Sequence, residues 1–167
     1  MKHMKLYEIV NELSYSDSNL DKLPELPDTI ERFDCRHNSL VSLPKLPNVL
    51  THLFCGSNKL ESLPELPDTL TYLYCTQNKL INLPNLPNGL KMLYCSENNL
   101  IELPILPDGL TQLYCCDNNL SELPILPSSL SILFCEGNNL PYYDLDGYRE
   151  WLSDNHPEVL ESRKFNI

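Results

Sequence analysis

The sequence repeats itself every twenty residues, and this period constrains the fold more than any other feature. The stretch LTYLYCTQNKLINLPNLPNG, residues 70–89, is followed by LKMLYCSENNLIELPILPDG, residues 90–109. Written in rows of twenty, the chain gives the pattern LxxLxCxxNxLxxLPxLPxx six times without an insertion. A unit this short cannot bury its own apolar face, so neighbouring units must stack to form a continuous core. The period therefore predicts a solenoid.

Each part of the repeat has a predicted structural role. Leu73 and Cys75 alternate with Tyr72 and Tyr74, which is the period of a strand with one buried face, and stacked units place such strands side by side in a parallel sheet. The cysteine points inward, and the asparagine at the bend after it, Asn78 in this repeat, is expected to hydrogen-bond backbone groups of its own and the neighbouring turn. The prolines of LPxLP remove backbone donors and fix φ, which predicts an extended, polyproline-like segment. The triplets PDT, PNG and PSS supply the turn into the next strand.

This pattern resembles the leucine-rich repeat, and within that family the short LPx type found in bacterial effectors and in proteins of giant DNA viruses. The resemblance covers residues 10–140. It implies a mainly β solenoid of horseshoe shape, with a concave parallel sheet and an extended convex side. It also implies a function in binding other proteins, since most members of the family do so.

The two ends of the chain depart from the pattern, as the ends of a solenoid must. We interpret residues 1–22 as a degenerate N-terminal capping turn, residues 23–140 as six 20-residue leucine-rich repeats, and residues 141–167 as a helical C-terminal cap.

The C-terminal cap is predicted to lid the open end of the core. Asp146 is the expected N-cap of its helix, and an apolar stripe follows at helical spacing, formed by Tyr148, Trp151 and Leu152. Pro157 is expected to open a second short helix.

Composition and charge disfavour several classes of function. A formal net charge of -11 and a pI near 4.6 oppose binding to nucleic acid or to an anionic membrane surface. The N-terminal stretch MKHMKLYEIVNEL has no apolar run of signal-peptide length, and no segment is long enough to span a bilayer. We therefore expect a cytoplasmic location, in the source cell or in an infected host.

The seven cysteines, six of them placed one per repeat, predict free thiols rather than disulfides.

No enzyme or cofactor site is recognisable, so the chain is predicted to be non-enzymatic and to hold no cofactor or metal. One cysteine per turn forms a line, whereas a zinc site needs ligands that converge on one point. Cys116 is the cysteine expected to point outward. No histidine neighbours it on the predicted face, and Asp117 beside it would raise its pKa, which disfavours a nucleophilic role.

The candidate partner-binding residues form two columns on the outward, concave face of the predicted sheet. One column is almost uniformly aromatic and should stack into a ladder, which serves either recognition or the stabilisation of cross-strand pairs. The other column varies between repeats, as expected for a surface that carries specificity. The candidates are Arg32, Phe54, Tyr72, Tyr74, Met92, Tyr94, Gln112, Tyr114 and Phe134.

Charge is distributed unevenly along this face. This charge distribution would favour a partner with the opposite arrangement of charge. The alternative is that residue types at these solvated positions vary without a functional constraint. The basic residues at the N-terminal end are Arg32, Arg36, His37 and His52, and the acidic residues at the C-terminal end are Glu97, Asp117 and Glu136. On the convex side, Ile105 and Ile125 are adjacent, and contact with the C-terminal tail is favoured over a partner site.

Two functions stay open from the sequence. The first is a protein-interaction module that binds its partner on the concave face, with a host protein as one candidate partner. The alternative is a structural or self-assembling repeat protein without a specific small-molecule site. Uniform columns favour the structural role, whereas the variable columns and the charge gradient favour recognition. The expected partner is a protein, not nucleic acid or a membrane, and the expected oligomeric state is a monomer or weak dimer.

Overall fold

A computed structural model of the protein describes residues 11–157 and residue 159. In this part of the chain, seven three-residue strands form one parallel sheet in the order β1 to β7, and one helix follows them. The strands are β1 Glu12–Ser14, β2 Arg32–Asp34, β3 His52–Phe54, β4 Tyr72–Tyr74, β5 Met92–Tyr94, β6 Gln112–Tyr114 and β7 Ile132–Phe134, and the helix is α1 Leu145–Asn155.

The strand register follows the sequence period. Leu53 pairs with Leu73, and Tyr74 pairs with Tyr94, so each residue lies beside its equivalent one repeat away. The middle residue of strands β2 to β7 is buried, whereas the residues on either side face outward. The predicted solenoid with a parallel sheet and a period of two within each strand is confirmed.

The leucine and cysteine columns form one continuous core. Leu53, Leu73, Cys55 and Cys75 are fully buried, and their equivalents in the neighbouring repeats have the same environment. All seven cysteines are free, and all but Cys116 are buried. The prediction of inward-facing free thiols is therefore confirmed.

The asparagine column closes the corner after each strand as predicted. In Asn58, Nδ2 donates to the carbonyl oxygen of Cys55 in its own repeat at 3.2 Å and to that of Cys35 in the preceding repeat at 2.9 Å. Its Oδ1 accepts the backbone N–H of Leu40 at 3.0 Å. One side chain thus satisfies backbone groups of two turns that the corner would otherwise leave unpaired.

The bend itself lies one residue earlier than the asparagine. The residue before each asparagine has a left-handed backbone, with φ of 53° at Ser57, 58° at Gln77 and 67° at Gly137. The sequence interpretation placed the bend at the asparagine. The structure instead gives the asparagine the hydrogen bonds and its neighbour the left-handed turn, a conformation that costs side-chain-bearing residues about 1–2 kcal/mol.

The LPxLP half of each repeat contains no helix or strand, in agreement with the predicted extended backbone. A tight turn follows it, in which Leu70 N–H donates to Pro67 C=O at 3.0 Å. The same bond recurs at Leu50 and Leu90, so the turns predicted from PDT and PNG are confirmed.

The N-terminal segment extends the sheet. Strand β1 pairs with β2, with Leu13 opposite Phe33, and so continues the register of the repeats into the segment interpreted as a cap. Residues 1–10 lie outside the described residues, and the proposed boundaries between cap and repeats stay a prediction.

The C-terminal segment covers the last strand. Asp144 forms an antiparallel bridge with Phe134, and Cys135 N–H donates to Tyr143 C=O at 2.9 Å. Tyr148 and Leu152 of α1 are buried in the core, and Trp151 packs partly against it, which confirms the predicted apolar stripe.

The predicted N-cap, Asp146, was wrong by two residues. Asp144 caps α1, because its Oδ1 accepts the Gly147 N–H at 2.8 Å, whereas Asp146 lies in the first turn and pairs with Arg149. Helical backbone is found at Pro157, and most of the second helix predicted there lies outside the described residues. At eleven residues α1 is too short to cross a bilayer, and the described part of the chain contains no helix that is long and apolar enough to do so.

Candidate protein-binding face

The outward side of the parallel sheet, called here the outer sheet face, carries all nine candidate residues. Arg32 and Phe134, near its two ends, are exposed, and the seven others are half-buried. The structure therefore brings the candidates together on one surface. Their role in binding stays a prediction.

The aromatic rings form a stack that differs from the predicted ladder. Phe54 packs on Tyr72, with ring centroids 5.0 Å apart, and Tyr72 packs on Tyr94 at 5.4 Å. Tyr94 and Tyr114 are almost parallel, at 4.5 Å and 9°, and Phe134 ends the row 5.1 Å from Tyr114. We call these five rings the aromatic stack. The ladder predicted within one column was wrong at one position, because Tyr72 from the variable column takes the place expected for Tyr74.

Gly56 explains why the Tyr74 ring lies outside the aromatic stack. The Tyr74 ring lies against the backbone of Gly56, where a methyl group would come within 2.8 Å of Cδ1. The ring stays within 5.8 Å of Tyr94, beside the stack rather than in it. Sequence reasoning did not single out Gly56. The sequence does contain a signal for Gly56. At the position after the repeat cysteine, each of the other five repeats has a residue with a side chain, and this repeat has glycine.

The N-terminal end of the face is less basic than the sequence indicated. Arg36 donates to both carboxylate oxygens of Asp34, at 3.0 and 2.7 Å, and Arg32 pairs with Glu12 at 2.8 Å. Burial raises the pKa of Asp34, but the hydrogen bonds and charge of Arg36 outweigh it and hold that pKa below 3.8. Two of the four predicted basic residues are thus neutralised by the chain itself.

His52 has an aromatic environment. Its ring stacks on Tyr72 with centroids 5.7 Å apart and 16° between planes, and its Nδ1 lies 2.9 Å from Thr51 Oγ1. Burial and the positive charge of Arg32 lower the pKa of His52 below 6.5. The histidine therefore extends the aromatic surface more than it adds positive charge.

Hydrogen bonds between neighbouring strands fix the middle of the face. Tyr94 donates from its hydroxyl to Gln112 Oε1 at 2.8 Å, and Gln77 Nε2 donates to Glu97 at 2.9 Å. Burial and the adjacent Tyr94 raise the pKa of Tyr72 to about 12. Stacking and cross-strand bonds of this kind stabilise the sheet, and the partly exposed rings also leave contact area. The two interpretations of the aromatic column are therefore compatible, and its role in binding stays a prediction.

Cys116 is half-buried, as its predicted outward direction required. Burial, together with the negative charges of Asp117 and Glu136, raises the pKa of its thiol above 9.0. A thiol with a raised pKa is a poor nucleophile at neutral pH. Across residues 11–157 and 159, no three His, Cys, Asp or Glu side chains form a group that could hold a metal ion.

The two convex isoleucines differ in their surroundings. Ile105 is 88% exposed, so the predicted contact with the tail is wrong for the described part of the tail. Ile125, 71% exposed, borders a hollow of about 450 Å³ beneath α1 that Trp151 and Val159 also line. The tail beyond Val159 lies outside the described residues.

Comparison with solved structures shows what the chain is similar to. YopM from Yersinia enterocolitica is 35% identical with a TM-score of 0.69, and the match covers 77% of this chain and 35% of that protein. The leucine-rich-repeat domain of a Shigella effector is 41% identical, also with a TM-score of 0.69, and covers 70% of this chain and 53% of that domain. This chain thus spans about a third and about half the length of the two.

The comparisons agree with the repeat pattern. Strands recur every twenty residues, and the structural neighbours are leucine-rich-repeat proteins of bacterial effectors, which confirms the resemblance to the short leucine-rich repeat. No protein-family model matches the chain, and no curated protein matches it.

Proposed function

We propose that this leucine-rich-repeat solenoid of 20-residue repeats is a non-enzymatic interaction module that binds a protein partner on its outer, concave sheet face. The observation that carries the proposal is the aromatic stack, in which neighbouring rings such as Tyr94 and Tyr114 lie 4.5 Å apart on a hydrogen-bonded sheet. Aromatic side chains offer large contact areas and lose little conformational entropy on binding.

Preorganisation supports this proposal. The strands below the rings are tied together by bonds such as Cys95 N–H to Tyr114 C=O at 2.8 Å, and the rings are stacked before any partner arrives. A surface that is already ordered saves the entropy of ordering side chains and loops at the interface. The half-buried Met92 adds an adaptable apolar contact beside the rings.

The chemistry of the chain supports the non-enzymatic part of the proposal and its location. The buried thiols have raised pKa values, which disfavours reactivity. Free, unpaired cysteines suit a reducing compartment, so we place the protein in the cytoplasm of its source cell or of an infected host. A host protein is one candidate partner, because the similar structures include a bacterial effector domain. Because the protein has a net charge of -11, nucleic acid and anionic membranes stay disfavoured as partners.

Self-assembly is the second candidate function, and four exposed isoleucines favour it. Ile81, Ile101, Ile105 and Ile125 are large apolar side chains that are exposed to solvent. Exposed apolar surface of this kind can mark a contact between copies. Sedimentation velocity at rising protein concentration separates the two functions. A monomer or weak dimer is expected, and a stable larger assembly would favour the structural role.

The test of the proposed function is capture of a partner followed by binding of that partner in purified form. The triple variant Tyr74→Ser, Tyr94→Ser and Tyr114→Ser should stay folded, because the buried core is unchanged, and should lose the partner. The matched control is Ile81→Ser, Ile101→Ser and Ile105→Ser, which alters the same number of large side chains outside the sheet strands.

Binding of the purified partner is then measured by calorimetry for the native protein and both variants, with circular dichroism to verify folding. Loss of binding in the tyrosine variant alone supports the outer sheet face. Equal binding by the tyrosine variant, or loss only in the isoleucine variant, would place the contact elsewhere.

A further inference from the structure

The N-terminal end of the aromatic stack is covered by arginines of the chain itself. The guanidinium carbon of Arg36 lies 5.2 Å from the centroid of Phe54, the first ring of the stack, and that of Arg32 lies 5.9 Å from it. Asp34, which pairs with Phe54 in the sheet register, holds Arg36 in place through two hydrogen bonds. The structure thus contains one complete example of a guanidinium stacked on a ring beside a carboxylate.

Within residues 11–157 and 159, the C-terminal end of the stack has the ring and the carboxylates but not the cation. Phe134, the last ring, is 44% exposed. It forms an antiparallel bridge with Asp144, and directly opposed residues in such a pair project to the same side of the sheet. Asp144 therefore lies beside Phe134 much as Asp34 lies beside Phe54. Glu136, two residues after Phe134, is exposed at the same end of the strand.

No cation of the described chain occupies this end. Among residues 11–157 and 159, no arginine or lysine lies over Phe134, and neither Glu136 nor Asp144 forms an ion pair. The nearest arginine in sequence, Arg149, pairs with Asp146 instead. Asp144 uses Oδ1 to cap α1, while Glu136 has no side-chain hydrogen bond in the described structure.

We propose that the Phe134 end of the aromatic stack is a subsite for an arginine side chain supplied by the protein partner. The guanidinium would stack on the open face of Phe134 and pair with Glu136 and Asp144, as Arg36 does on Phe54 with Asp34. Arginine fits better than lysine, because its planar group can stack on a ring and donate in a fork to a carboxylate at the same time. This inference rests on the proposed function and specifies the chemistry of the partner.

A defined peptide tests the subsite without a known partner. The probe is acetyl-Ser-Arg-Ser-amide, and the matched controls replace arginine by citrulline, which keeps the shape without the charge, or by lysine. Isotope-labelled protein is titrated with each peptide at low salt, and the Phe134 and Tyr114 ring signals and the Glu136 amide signal are followed by NMR.

The arginine peptide is expected to shift the signals of Phe134, Tyr114 and Glu136 with one common affinity. The citrulline peptide should shift none of them, and the lysine peptide should bind more weakly. Phe134→Leu keeps an apolar side chain without the ring face and should weaken arginine binding about two- to five-fold. Glu136→Gln should weaken it by a similar factor, whereas the charge-matched control Glu102→Gln, at an exposed position outside the strands, should not change it.

Two results would overturn the inference. Shifts spread over many acidic residues and unaffected by Phe134→Leu would show only general attraction to a protein of net charge -11. Equal shifts from the arginine and citrulline peptides would show that charge is not recognised. Either variant that unfolds is recognised by circular dichroism, and the peptide controls on native protein then decide alone.

The inference and the proposed function fail in different ways. If a purified partner binds in a manner that depends on the tyrosines, but the arginine peptide does not localise at Phe134, the inference fails and the function stands. If the peptide localises at Phe134, but partner binding does not depend on the outer sheet face, the proposed function and the partner role of the subsite fail, whereas guanidinium binding at Phe134 stands.

Discussion

The side-chain amide of Asn98 donates from Nδ2 to the carbonyl oxygen of Cys75, 23 residues earlier in the chain, at 3.1 Å. The same nitrogen lies 3.1 Å from the carbonyl oxygens of both Cys95 and Ser96, and Oδ1 accepts Leu80 N–H at 3.0 Å. One side chain therefore connects two repeats through a donor and an acceptor at once. Only an amide has both groups in this arrangement, which explains why asparagine recurs at the corner of every repeat.

Asn98→Asp is expected to lower the free energy of unfolding by about 2 kcal/mol or more. The aspartate would replace the donor by a carboxylate oxygen that faces three carbonyl oxygens in a buried corner. Urea denaturation followed by circular dichroism measures the change.

The control for this prediction is the adjacent residue. Asn99→Asp makes the same chemical change at an exposed position and is expected to alter stability by less than about 0.5 kcal/mol. Equal effects of the two substitutions would show that the corner hydrogen bonds contribute little.

Gly137→Ala and Gly89→Ala are expected to change stability in opposite directions. At Gly137, φ is 67° and a methyl group would meet the Asp117 side chain, so the alanine should cost about 1 kcal/mol or more. At Gly89 the nearest atom to a new methyl group is Asp68 O at 3.5 Å, an ordinary contact. There alanine should stabilise the protein by up to about 1 kcal/mol, since it restricts the unfolded chain.

Thermal unfolding of the two alanine variants beside the native protein provides the measurement. An unchanged melting temperature for Gly137→Ala would contradict the assignment of the left-handed turn to the residue before each asparagine. A lower one for Gly89→Ala would show that a methyl group is not accommodated in the turn after the prolines.

Cys116 is expected to be the thiol that reacts first with an alkylating reagent in the folded protein. It is half-buried, whereas the other six thiols are buried in the core. Because the pKa of Cys116 is itself raised, its rate should be slow at neutral pH and should rise as pH increases past 9. Mass spectrometry after brief labelling counts the modified sites.

Cys116→Ser should abolish this early labelling. Full labelling of the native protein within the same time would show that the repeats open readily, contrary to the continuous core described above.

Alkaline pH is expected to destabilise the fold through the cysteine column. Burial raises the pKa of Cys75 from 9.0 to about 12, so the neutral thiol is favoured in the folded state. The resulting stabilisation is complete below pH 9, where the thiol is protonated in both states, and is lost as pH rises from 9 towards 12. The free energy of unfolding should therefore fall over this range.

Cys75→Ala should make that fall shallower by about 1–2 kcal/mol between pH 9 and pH 10.5. Its stability at pH 7 should drop slightly, because a small cavity replaces the sulfur. Urea denaturation at several pH values gives both quantities. A slope identical to that of the native protein would mean that the thiol titrates normally in the folded state.

The repeat architecture could be predicted from the sequence because each structural requirement recurs in each unit. A leucine such as Leu73, a cysteine and an asparagine return at fixed positions, and a period of twenty residues leaves stacking as the way to bury them. The nine candidate residues could also be assigned to one face, since residues in a strand alternate between its two sides.

Details that depend on only one repeat could not be predicted in this way. The absence of a side chain at Gly56 lets Tyr74 tilt out of the row, and Tyr72 then completes the aromatic stack. The pairing of Arg36 with Asp34 neutralises a charge that the sequence counts as free. Both effects arise between side chains that a column alignment treats as independent.

The sequence by itself determined the solenoid, its inward columns and its hydrogen-bonding corners. Each repeat needs the same burial and the same hydrogen bonds, and it obtains them from the neighbouring repeat along one axis. Only the tertiary structure decided where the left-handed residue lies, which aspartate caps α1, and which rings stack across the strands. These depend on the shapes and charges of neighbouring side chains in three dimensions. That same packing places Asp34 beside Phe54 and Asp144 beside Phe134, a similarity between the two ends that no repeat pattern contains.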